Sequence, residues 1–342
     1  MNGKAVALSA ALIILIALAL GIPCYSSQQP HRIIEVNEYG LVYVYDVLPG
    51  VNGELRIGFP KSLVRNLVNY ACPEDPNPEL KVEEDAFFII VDSKPGQPIH
   101  LTTIFRDVIS WDPRRGAFGL DMPLHPRVPG LGKADYPVTV KLPRDSEVLE
   151  VSPGFLNQSE KGTLFGVLEG VDLSGADFQR LKLSFTSNLL KLVDIRSADM
   201  ELKLPDRLVT LNMRILNLGG SSIGQLNLRL PKGSKLIDVR DSLGSLSRKY
   251  DEETGGLRVS LRQPLVARSL TTIIVSFQAP SESDLMRVSD GSFTVSPYLP
   301  INSTAWLYRI KIVLVGGEPS SWNPEPIEFK REYPDKTILA YR

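Results

Sequence analysis

The chain has 342 residues with 38 Lys plus Arg against 39 Asp plus Glu, so no net field draws it to a polyanion and nucleic acid is excluded as a natural partner. With 43% hydrophobic and 23% charged residues it has enough apolar material for a core, which excludes disorder, collagen and coiled coil. Two Cys and three His support neither a disulfide framework nor a His-rich metal centre, so no cofactor is expected.

Residues 5–22 (AVALSAALIILIALALGI) carry no charge and follow Lys4, the pattern of an export signal. Eighteen residues at 1.5 Å rise reach about 27 Å, near the roughly 30 Å hydrocarbon core, so the segment is long enough to stay as a membrane anchor. Cys24-Tyr25-Ser26 offers a small-x-small cleavage site, so residues 1–26 read either as a signal peptide or as an anchor. Both outcomes put the rest of the chain outside the cytoplasm, either tethered through residues 5–22 or secreted.

From residue 33 onward the dominant period is two. Leu211, Met213 and Ile215 alternate with Asn212 and Arg214, and Leu226, Leu228 and Leu230 alternate with Asn227 and Arg229. The same pattern recurs at 138–142, 181–185, 257–261 and 308–312. One wet face per strand predicts an all-β fold of antiparallel sandwiches, with at most a turn or two of helix between Pro60 and Tyr70. Tyr43 and Tyr45 share one face of the first strand and read as an aromatic ladder.

The halves resemble each other. Gly53 to Lys61 (GELRIGFPK) matches Gly224 to Lys232 (GQLNLRLPK), and Leu41-Val42 matches Leu208-Val209. Leu101 to Phe105 matches Leu270 to Ile274, Gly116 to Phe118 matches Gly291 to Phe293, and Tyr136 to Leu142 matches Tyr308 to Leu314. Five collinear blocks predict tandem domains, 27–198 and 199–342, the second shorter than the first. Between matched blocks the first copy carries a Pro-rich loop, Cys72 to Pro78, and the second a charged one, Ser247 to Gly255. Such loops are the usual place for binding specificity.

Chemistry is harder to find. Nucleotide-binding, nucleophile-elbow and zinc-protease motifs are absent. His31, His100 and His125 are scattered, and Cys72 reads as a half-buried thiol. Asp75, Glu79, Glu83, Glu84 and Asp85 read as a solvated acidic loop rather than a calcium site. Asn157 and Asn302 each head an Asn-x-Ser/Thr sequon in a polar stretch, sites where an exported chain is glycosylated. Trp306 reads as core, whereas Trp111 and Trp322 lie in turn-like contexts and are the candidates for exposed binding aromatics.

Residues Arg32 to Val44 (RIIEVNEYGLVYV), Asp290 to Tyr298 (DGSFTVSPY) and the strand-Pro-strand run from Val138 to Val151 resemble the lumenal region of the ribophorin I family, non-catalytic subunits of the oligosaccharyltransferase complex. The resemblance implies an N-terminal signal, two tandem β-sandwiches and no catalytic residues. The family's C-terminal membrane span has no counterpart here, so any tether falls to residues 5–22. The expectation is a non-enzymatic extracytoplasmic accessory or scaffold protein with protein partners at the membrane surface. The alternative is a secreted or surface-layer-associated module that binds glycans or neighbouring proteins.

Overall fold

The computed structural model describes residues 29–289, 292–317, 319–332 and 336–341. The expected signal or anchor, with Cys24, lies outside the described residues. Among those described, no helix is long and apolar enough to cross a membrane. The fold is all-β, and its single helical turn between Pro60 and Tyr70 is a 3₁₀ turn at Lys61–Leu63 that buries Leu63. The chain divides into two compact units, Met1–Leu190 and Lys191–Arg342.

The first unit opens with β1 (His31–Val36), β2 (Val42–Leu48), β3 (Gly53–Pro60), β4 (Leu67–Ala71) and β5 (Glu79–Val82). There follow β6 (Ala86–Ser93), β7 (Ile99–Phe105), β8 (Ile109–Asp112), β9 (Ala117–Pro123) and β10 (Lys133–Lys141). It ends with β11 (Glu147–Ser152), β12 (Asn157–Glu160), β13 (Thr163–Asp172) and β14 (Arg180–Thr186). The largest sheet runs β12-β13-β10-β1-β2-β7-β4, beside sheets β11-β14-β9-β8 and β3-β6-β5. β2 alternates as its sequence predicts, burying Val42, Val44 and Leu48. β6 does not alternate. Its run Phe87, Phe88, Ile89 and Val91 is buried on both faces, as an internal strand covered on each side should be.

The second unit contains β15 (Val193–Leu204), β16 (Leu208–Asn217), β17 (Ile223–Arg229), β18 (Lys235–Asp241) and β19 (Gly244–Ser245). It continues with β20 (Ser247–Asp251), β21 (Gly256–Leu265), β22 (Leu270–Gln278), β23 (Met286–Ser289) and β24 (Ser292–Val295). It closes with β25 (Tyr308–Val315), β26 (Glu328–Glu332) and β27 (Lys336–Tyr341). Its large sheet is β19-β18-β22-β16-β15-β25-β27-β26, with β17-β21-β20 and the hairpin β23-β24 apart from it. β15 pairs with β16 and β25, which is why the division falls ahead of position 198.

The six-strand series β13-β10-β1-β2-β7-β4 and β27-β25-β15-β16-β22-β18 share their pairing senses. Each has one parallel pair, β1 with β10 and β15 with β25, and is antiparallel elsewhere. The wholly antiparallel expectation is corrected accordingly. A parallel pair needs a long crossover, and strand alternation carries no trace of it. The GELRIGFPK and GQLNLRLPK blocks also sit alike: Gly58 N–H donates to the Arg127 carbonyl at 2.6 Å, and Arg229 N–H to the Pro300 carbonyl at 2.5 Å. Two blocks are out of register. With Val42 set on Val209, the strand ladders place Leu101 against Ile273, not against Leu270, which is 44% exposed, and place Val138, not Tyr136, against Tyr308.

Candidate functional site

The inward face of β1 and β2 is apolar except at one cross-strand pair. Arg32 lies opposite Asp46 and both are buried, at positions where alternation demands aliphatic side chains. The guanidinium is bidentate, Nε to Oδ1 at 2.7 Å and Nη2 to Oδ2 at 2.8 Å. Its remaining nitrogen, Nη1, donates to the Pro123 carbonyl at 2.8 Å, and the Arg32 Cζ lies 5.2 Å from the Phe59 ring centroid. Tyr136 on β10 donates its hydroxyl to Asp46 Oδ1 at 2.9 Å. Every charged atom thus has a partner, the condition under which a buried ion pair is tolerated.

The electrostatics favour the protonated form of both donors. Burial works against the Arg32 charge, but Asp46 outweighs it and holds the guanidinium above its ordinary range. Burial, reinforced by the Asp46 charge, pushes the Tyr136 phenol well up. Both donors, Arg32 and Tyr136, therefore keep their protons at any physiological pH. In the second unit, with Val42 set on Val209, the matching pair is Ala198 opposite Met213, both buried and apolar.

His125 follows β9 and is buried near this pair. Its Nδ1–H donates to the Pro126 carbonyl at 3.0 Å, while Nε2 accepts the Gln179 N–H at 3.3 Å. That pattern requires the neutral ring. Burial lowers its pKa, and the Arg32 charge adds to the effect.

The Pro-rich loop is clamped rather than free. Glu74 accepts the Cys72 thiol at 3.3 Å, the His100 backbone N–H at 3.0 Å and His100 Nδ1 at 2.7 Å. Asp75 accepts N–H groups from Asn77 and from Asp92 on β6. Cys72 is 5% exposed, so the half-buried expectation is corrected; its backbone bridges Asp75 and draws the thiol inward. Burial, with the neighbouring Glu74 charge, pushes the thiol up to about 12. Burial tends to raise the Glu74 pKa, but hydrogen bonds from His100 outweigh it and the carboxyl is lowered. A thiol bonded to a carboxylate instead of an imidazole is the reverse of an activated nucleophile.

The remaining sequence candidates do not converge. Asn157 on edge strand β12 and Asn302 ahead of β25 are exposed, as glycan acceptors must be. His31, His100 and His125 lie on separate elements, and among the described residues no metal-holding group of His, Cys, Asp or Glu occurs. The acidic loop is spoken for, Glu83 by Arg56 and Lys81, Asp85 by Arg127. Trp111 packs on Phe118 at 4.9 Å, and Tyr43 stacks on Tyr45 at 6.3 Å. Trp306 is 53% exposed rather than core, because it precedes β25 instead of lying in its ladder. Trp322, 41% exposed, packs on Phe329 at 5.2 Å. The buried Arg32–Asp46 pair left no signal in the sequence, since an Arg beside a strand start reads as surface.

No family model matches the chain, and no curated protein matches it. Among solved structures, an aminopeptidase N family protein from Idiomarina loihiensis is similar at 12% identity and a TM-score of 0.33, over 49% of this chain and 30% of that one. A likeness that slight carries no argument about fold or activity.

Proposed function

We propose that the chain is a non-enzymatic extracytoplasmic accessory or scaffold protein at the membrane surface, two β-sandwich domains in tandem, in the manner of a ribophorin-like subunit of a protein N-glycosylation complex. The observation that carries this reading is the twice-used strand series with its single parallel pair, which supports duplication of one sandwich. Polar clusters with perturbed protonation in the first unit are internally saturated, so they act as structural locks. What remains for recognition is strand edges and loop ends. Export is supported by the apolar run 5–22, and the exposed Asn157 and Asn302 are its natural glycan acceptors.

The test is purification of the native protein from detergent-solubilised membranes and identification of what co-elutes. Stoichiometric membrane proteins are expected. Recovery of a soluble chain starting near Ser27, alone, contradicts the accessory role. The secreted glycan-binding module is the second reading, favoured by one observation, the exposed Trp306 indole beside the Asn302 stretch. Glycan-array binding abolished by Trp306→Ala supports that reading instead.

A further inference from the structure

Four strands end the two large sheets, and three of them are irregular or very short. β12 and β4 have register shifts in their ladders, and β19 is two residues long. β26 is the exception. Its five pairs with β27 run without a shift, from Glu328 opposite Ala340 to Glu332 opposite Lys336. The residues from Ile327 to Arg331 are exposed, Ile327 at 70% and Phe329 at 41%. Charges on an edge strand bar partners whose charges do not match, and four of the five residues of β26 are charged, so only a strand of complementary pattern can add to it. Phe329 is also part of a built surface: Trp322 packs against it at 5.2 Å, and the Arg331 guanidinium lies 5.7 Å from its ring centroid.

The identity of the occupant follows from symmetry and charge. In an antiparallel pair, directly opposed residues share a face, so a two-fold axis through two copies of one strand must pass through a residue facing itself. Centring on Lys330 sets ammonium against ammonium, and centring on Glu328 sets carboxylate against carboxylate; both are unfavourable. Centring on Phe329 sets ring against ring, places Glu328 opposite Lys330 twice, and lays the Ile327 side chain against Arg331. We infer that β26 is a self-pairing edge, joining two copies of this chain into a closed dimer by continuing their eight-stranded sheets across a two-fold axis at Phe329. The pairing uses up the exposed edge, so it stops at two copies. This inference is independent of whether the chain is an accessory subunit or a secreted module.

The test is analytical ultracentrifugation of the full chain in a non-ionic detergent, which also shields residues 5–22. A dimer is expected. Glu328→Lys should weaken it by at least about tenfold, because both opposed pairs become repulsive, while Glu328→Lys with Lys330→Glu restores it. In a Cys24→Ser background, Phe329→Cys should be oxidised by diamide to a single disulfide-linked dimer band. The inference is overturned by a chain that stays monomeric at the highest attainable concentration, by a dimer indifferent to the charge reversal, or by a ladder of higher oligomers from Phe329→Cys. Because β26 is exposed and at an edge, these variants leave the core intact, and circular dichroism checks that they do.

Discussion

Arg32 and Asp46 face each other across adjacent strands, bidentate and buried, on a face whose other members are aliphatic. Such pairs cost more to break than they contribute, because the survivor is left charged and dry. Asp46→Asn is expected to lower stability by about 3–5 kcal/mol. Replacing the whole cluster, Arg32→Met with Asp46→Leu and Tyr136→Phe, removes every stranded charge and should cost less than the single change. Urea denaturation decides it, and a triple variant weaker than Asp46→Asn shows the pair to be a net stabiliser.

Acid sensitivity should trace to His125. Its folded pKa lies below the ordinary value of 6.5, through burial first and the Arg32 charge after it. The unfolded chain therefore binds a proton that the fold refuses. The resulting stability is complete above about pH 6.5 and declines as pH falls through that value toward the folded pKa. Protonation would set Nε2–H against the Gln179 N–H, two donors facing each other. Between pH 7.5 and 5.5, the wild type should lose more stability than His125→Gln. Parallel profiles for the two proteins refute the assignment.

The thiol of Cys72 should be inert while the chain is folded. With its pKa pushed up to about 12, roughly one molecule in ten thousand carries the thiolate at pH 8. Peptide mass spectrometry after iodoacetamide should find the Cys72 peptide unmodified in native buffer and fully alkylated in denaturant. Fast native alkylation means the Glu74 clamp opens.

Two glycines separate backbone strain from crowding. Gly255 and Gly233 have φ of +73° and +76°, but a Cβ on Gly255 would lie 2.1 Å from the Leu230 carbonyl oxygen, and one on Gly233 would meet nothing within 4 Å. Gly233→Ala should cost about 1 kcal/mol, the left-handed penalty alone. Gly255→Ala should cost clearly more, since it also displaces the Leu230 N–H bond to the Gly255 carbonyl. Equal losses in thermal denaturation would remove the steric part of this argument.

Strand content was legible because alternation is local: Leu211, Met213 and Ile215 point inward as their period requires. What joins strands was not. The parallel contact of Arg32 with Val138 spans more than a hundred residues, and no local pattern encodes it. Leu101 found its best sequence match three positions from its ladder equivalent, since Leu-Thr-Thr-Ile suits either register of a half-buried strand. Of the candidate site residues, Asn157 and Asn302 are exposed, as their polar surroundings in the sequence suggest, but the charged core was hidden because Arg32 and Asp46 become partners only across a hairpin.

The proposed duplication of one sandwich is tested most directly by an X-ray structure of the full chain in which the two units are superposed. β10, β1, β2 and β7 should overlay on β25, β15, β16 and β22 with Asp46 falling on Met213. Antiparallel contact of β1 with β10, or two units with unrelated strand orders, would contradict it.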